Sequence, residues 1–229
     1  MYTKGKIQEN SFFISGFINL GIVVITALIS MIFFYLLIYG GLGFDSALKE
    51  VLALSVISAV LNITFLVFYI LGMQNLKSRS DLNNTSAISI ISIIAGLLIF
   101  FILLITIATI LVLRFIGLEW IAIAMGVLSI LHGLTSFSLY YLSWRLFRKI
   151  VNHVYIKKFN LSFLLLGIFV LISNILMSIM YFNLLGFVWI SPLYAFLTSI
   201  AGLFNLIASV VLILNNGELK QGINRIKAV

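Results

Sequence analysis

The chain of 229 residues has no cysteine, a single proline, and only six acidic residues against fourteen Lys and Arg. Without Cys there is no disulfide, no thiolate metal site and no Cys nucleophile, and the redox compartment stays open. The two histidines, His132 and His153, fall in different environments, and a zinc site needs three protein ligands as a rule. No H-E-x-x-H, Walker A, G-x-G-x-x-G or G-x-S-x-G pattern occurs, so nucleotide, metalloprotease and serine-hydrolase chemistry have no support. The serines around His132 share its own helix, whereas a catalytic pair needs a Ser held against the His. Asp45 and Asp81 fall on opposite sides of the expected membrane, which excludes paired-aspartate metal chemistry. The expectation is a protein that is not an enzyme, with no catalytic, cofactor-binding or metal-binding residue.

What is abundant is apolar: 63% of the residues are hydrophobic and 9% are charged. Uncharged apolar runs of about 18 residues or more are candidate membrane spans. Six are present, at about 12–39, 47–73, 86–113, 118–144, 161–185 and 192–214. The predicted fold is an all-α, polytopic six-helix transmembrane bundle forming one domain over residues 1–229, with no room for a soluble domain. The run over 12–39 is too long for a signal-peptide core and lacks an A-x-A end, so a cleavable signal is not expected.

The densest positive charge lies at 145–158, RLFRKIVNHVYIKK, within a basic cytoplasmic linker at 145–160. Cytoplasmic loops collect Lys and Arg. With the N-terminus inside, 12 of the 14 Lys and Arg fall on the cytoplasmic side and only Lys49 and Arg114 face out. Both termini are therefore expected in the cytoplasm of a protein integral to the cell membrane. Arg145, Arg148, Lys149, Lys157 and Lys158 are the candidate basic interfacial segment. Phe147, Ile150, Val151 and Val154 recur at helical spacing opposite most of those charges, as in a helix lying in the interface. The other reading is that the fourth and fifth spans overrun the bilayer with snorkelling cationic ends. The expected partners are the lipid bilayer, anionic headgroups at its inner face, and other membrane subunits or further copies of the chain. Charge confined to loops is explained by insertion and headgroups, so nucleic acid is not expected.

Within the spans, Ala122, Gly126, Ser129, Gly133 and Ser136 recur at steps of four, three, four and three, a seam of small residues where another helix approaches closely. This predicts a central fourth span. Counting depth at about 1.5 Å per residue places Asn62, His132, Asn174 and Asn205 together near the bilayer midplane. Such a cluster either lines a polar site, the usual depth of a transporter's substrate site, or bonds neighbouring helices together. The absence of any Asp, Glu, Lys or Arg at that depth favours the second. A repeat is also expected: Ser55, Ser58 and Asn62 are matched about 71 residues later by Gly126, Ser129 and Gly133, and about 143 later by Thr198, Ala201 and Asn205. Three repeated helical hairpins would follow. Three tandem hairpins suggest the mitochondrial carriers, but their P-x-D-x-x-[KR] signature is absent.

K-x-K-I-x-E-N-S-F-F, from Lys4 to Phe13, together with F-Y-I-L-G-M-Q-N-L, from Phe68 to Leu76, resembles an archaeal family of hydrophobic multi-span proteins known as a domain of unknown function. The resemblance covers the first third of the chain and implies no activity. Six spans with both ends inside also resemble the membrane substrate-binding components of vitamin importers, although the A-x-x-x-A seam of their first span is missing here, with Gly16 and Gly21 in its place. Two function classes follow. The first is a non-catalytic structural or assembly subunit of a membrane complex; the second is a small-solute permease or a membrane substrate-binding subunit of an importer.

Overall fold

A computed structural model describes residues 10–39, 44–77, 84–112, 118–151, 153–182 and 190–227. Among them there is no strand. The elements are α1 Ser11–Tyr39, α2 Phe44–Lys77, α3 Asn84–Val112, α4 Leu118–Ile150, the short α5 Val154–Phe159, α6 Leu161–Phe182 and α7 Ile190–Lys227. Every one of these except α5 is long and apolar enough to cross a membrane, so the chain has six candidate spans. In hydrocarbon each backbone polar group must be satisfied internally, which is why uninterrupted helix is the form these runs take. Hydroxyls follow the same rule. Thr64, Ser89, Thr106 and Ser138 each donate to the carbonyl four residues earlier in their own helix.

The six long helices form a ring in chain order: α1 on α2, α2 on α3, α3 on α4, α4 on α6, α6 on α7, and α7 back on α1. Chain-order packing is compatible with repeated hairpins, but the environments of the matched residues differ and the repeat is not supported. Gly126, Ser129 and Gly133 are buried, Asn62 bonds its own helix, and Asn205 bonds a different one. The most extensive interface joins α4 to α6, between two of the expected hairpins rather than within one. Each described long helix packs mainly on its two neighbours in the ring, so α4 is a wall of the ring and not its axis.

The ring is sealed at its basic end. Phe12 of α1 reaches across to Phe147 of α4, with ring centroids 5.6 Å apart, and to Tyr69 of α2 at 5.8 Å. Phe147 in turn packs on Phe163 of α6 at 5.4 Å. Met73, Leu146 and Leu212 complete this plug and are fully buried. Tilted and edge-on ring pairs add specific geometry to the area they bury.

Several element ends differ from those read in the sequence. Helix α4 does not stop at 144 but runs through Ile150, so the first part of the 145–160 linker is membrane-type helix. The reason is the plug: Phe147 and Val151, expected on a lipid-facing stripe, turn into the bundle and are buried, and burying them extends the helix. Arg145, Arg148 and Lys149 remain exposed, with the Arg148 guanidinium 5.6 Å from the Trp144 ring centroid. Lys157 and Lys158 are exposed on α5, which buries none of its residues. The sixth candidate span, Leu193–Gly217, agrees with the run at 192–214, and its helix continues to Lys227. Pro192 lies in its first turn, where a missing N–H costs no hydrogen bond. The side chains of Ser55, Asp45, Lys49 and Lys77, together with the turns at 40–43, 113–117 and 183–189, lie outside what the structure describes.

Candidate functional site: an interior chamber above a sealed floor

The five seam residues lie on the buried side of α4, and all five are buried. A Cβ on Gly133 would stand 2.8 Å from Asn174 Cβ of α6, and one on Gly126 2.8 Å from the Phe182 ring. Farther toward the basic end, a Cβ on Gly167 of α6 would stand 3.1 Å from Tyr140 Cβ of α4. The two backbones therefore approach closely at Gly133 and Gly167. His132 is not part of that contact. It lies about 100° round α4 from Gly133, on the face shared with Leu139 and Ser143.

That face can be followed on four helices at once. Asn62 stands two turns above Tyr69 on α2, and Asn205 two turns above Leu212 on α7. His132 is three turns above Ser143 on α4, and Asn174 three turns above Phe163 on α6. Every pair is offset by only about 20° around its helix. The lower residues are 2%, 0%, 0% and 1% exposed respectively. The upper residues, on the same inward faces, are all partly exposed. Tyr181 and Tyr194 lie a further two to three turns out on the faces of Phe163 and Leu212 and are also partly exposed. The inward faces are packed solid at the basic end and become partly exposed about 10–16 Å above it, where the four polar residues sit.

Their hydrogen bonds separate them into two kinds. Asn62 Nδ2 donates to the Ser58 carbonyl at 2.8 Å and Asn174 Nδ2 to the Val170 carbonyl at 2.8 Å, both within their own helix. Such back-bonds fix each amide without tying helices together. Asn205 does tie helices: its Oδ1 accepts from Asn19 Nδ2 of α1 at 2.6 Å, and Asn19 also donates to Ser209 Oγ at 2.9 Å. His132 Nδ1 is enclosed and has no hydrogen-bond partner. The four do not bond one another, contrary to a single bonded cluster. The physical reason is spacing: each amide reaches its own i−4 carbonyl or an adjacent helix sooner than it reaches across the ring.

Four interhelical bonds have at least one partner that the sequence reading did not single out, two of them made by Asn19 to Asn205 and Ser209. Besides Asn19 with Asn205, Tyr69 donates from its hydroxyl to Ser143 Oγ, joining α2 to α4. Asn215 Nδ2 donates to Asn160 Oδ1 at 2.9 Å, joining α7 to the junction of α5 and α6. Asn19 was hidden by the length of the first apolar run, whose midpoint at 12–39 lies near residue 25. Asn160 also belongs to an N-x-S sequon, and as a fully buried side chain it offers no surface for a glycan.

Among the described residues no group of three His, Cys, Asp or Glu side chains could hold a metal ion. Among the described residues, the side chains on these faces at that height are uncharged amides, hydroxyls and one imidazole. No family model, no curated protein and no solved structure matches the chain.

Proposed function

We propose that this chain is a non-catalytic membrane protein that holds a small uncharged molecule in its interior chamber, as a substrate-binding subunit or permease would. One observation carries the reading: four inward faces that are fully buried at the basic end become partly exposed about 10–16 Å above it, and each bears Asn or His there. An assembly of apolar helices held by polar contacts alone would have no reason to leave those faces open. The absence of charge at that height argues for a neutral guest, since an ion would enter low dielectric without a counter-charge.

The assembly reading keeps support of its own in the bonds Asn19 to Asn205, Tyr69 to Ser143 and Asn215 to Asn160, which hold the basic half together. We assign the basic end to the cytoplasmic side of the cell membrane on its Lys and Arg, with Arg145, Arg148, Lys149, Lys157 and Lys158 meeting anionic headgroups.

Because the chain has no Cys, single replacements test the chamber cleanly. In reconstituted protein, Asn62→Cys and Asn174→Cys are expected to react with a small water-soluble thiol reagent, while Ser143→Cys, under the floor, is not. Equal protection at all three positions would remove the chamber reading and leave the assembly one.

A further inference from the structure

The seam between α1 and α7 is closed at the basic end and parted above it. At the closed level a Cβ on Gly16 would stand 2.8 Å from the Ser209 carbonyl oxygen and 2.7 Å from Ile213 Cγ1, and Asn19 clamps Asn205 and Ser209. Gly202 lies two turns farther on, within about 20° of Ser209 around α7 and so on the side that faces α1. A Cβ there would meet no heavy atom within 4 Å. Opposite it on α1, Thr26, Ala27 and Leu28 are all exposed. Ala27 lies within about 20° of Gly16 around α1, the face that meets α7 at the basic end, so that face is exposed at this height. On α7, Ala195 and Ser199 are exposed as well.

The ring order makes this gap consequential. With the helices in the sequence α1, α2, α3, α4, α6, α7, the helix opposite α1 is α4. A body passing between α1 and α7 above Asn19 therefore faces the wall that carries His132, whose Nδ1 has no partner. The sides of the gap are small and already satisfied: Thr26 Oγ1 donates to the Ile22 carbonyl and Ser199 Oγ to the Ala195 carbonyl. They ask for no hydrogen bond and leave room for an alkyl chain.

We propose that the chamber is loaded sideways from the bilayer through this gap, and that its occupant is an uncharged lipid-like molecule whose hydroxyl bonds His132. The proposal rests on the chamber reading above. A neutral imidazole has one donor and one acceptor nitrogen, and a hydroxyl can serve either, so the tautomer does not limit the match. An unpartnered buried polar atom is destabilising, and a guest that satisfies it recovers that loss on binding.

The test uses the full chain in neutral lipid nanodiscs and a diazirine-bearing sixteen-carbon alcohol as the probe, with the corresponding ionised fatty acid as control. The expected result is alcohol labelling on peptides containing residues 23–28, 195–205 and 125–136, competed by unlabelled hexadecanol, with weaker labelling by the acid. His132→Leu is expected to lower it several-fold, up to about tenfold for one lost hydrogen bond. Ser199→Leu, on the exposed rim of the gap, is the second variant and is expected to lower labelling of 125–136 without loss of thermal stability. Labelling spread over all lipid-facing helices, uncompeted and indifferent to both variants, would overturn the proposal. Absent labelling with a reactive Asn62→Cys protein would overturn lateral loading while leaving the chamber. Specific labelling with an unreactive Asn62→Cys would support loading from lipid and overturn access from water.

Discussion

At the scale of single residues, three glycines show how position decides what one chemistry does. Gly16 and Gly133 are contact points, and Gly202 is not. A methyl on Gly133 would meet Asn174 Cβ, an atom fixed to the α6 backbone, and so must push the helices apart. Overpacking of this sort costs about 1–3 kcal/mol. At Gly202 the added methyl meets nothing, and the better helix propensity of Ala contributes up to about 1 kcal/mol of stability. Thermal or denaturant unfolding in one detergent is expected to show Gly133→Ala as destabilised and Gly202→Ala as neutral or stabilised. The same ordering explains why a stripe read as a helix-packing seam in the sequence ends up facing α6: small residues go where backbones approach, and α4 with α6 is where they approach most.

At the scale of elements, the basic segment divides into two parts of different character. Through Val151 the chain belongs to the core, since Phe147 and Val151 are buried, while Val154, Tyr155 and Phe159 on α5 are exposed. What holds α5 is its end: Asn160 closes it through a backbone bond from its N–H to the Ile156 carbonyl and is itself held by Asn215. The amides of 145–150 are therefore expected to resist hydrogen exchange, and those of 154–159 to exchange faster. In the same experiment Val151→Ser should lower stability by about 2 kcal/mol, through lost packing and a buried hydroxyl, whereas Val154→Ser should leave it within about 0.5 kcal/mol. Equal effects of the two substitutions would show that the segment lies as one interfacial helix, as its amphipathic spacing alone suggests.

At the scale of the whole molecule, the ring is packed at the end that carries the cations, and the same inward faces become partly exposed about 10–16 Å above it. Orientation follows from the cations alone. A reporter fused after residue 229 or placed within 81–85 is expected to read cytoplasm, and one placed within 41–44 the opposite side. Cytoplasmic signal from all three sites would contradict six spans, and a full inversion would place the packed end away from the cytoplasm. In the expected orientation the sealed floor faces inward, so release to the inside would need the Phe12, Tyr69, Phe147 and Phe163 contacts to part.

What the sequence by itself determined is the part set by transfer between water and hydrocarbon. Apolar runs long enough to span, a shortage of acids and the clustering of Lys and Arg establish an all-α membrane protein of six spans, because burial in lipid depends on composition over some twenty residues and not on neighbours. Depth counting grouped Asn62, His132, Asn174 and Asn205 because rise per residue is constant in a helix, and they stand about 10–16 Å above the packed floor. Azimuth and partner were not legible. Whether an Asn bonds its own helix, like Asn62, or a neighbour, like Asn205, depends on which helix stands beside it, and ring order is not written in hydropathy. Tertiary packing likewise decided that Phe147 and Val151 turn inward and that Gly16 closes a seam that stands open at Gly202. Lipid is as apolar as a Leu side chain, so it gives no preference among such arrangements, and close fit between particular side chains makes the choice.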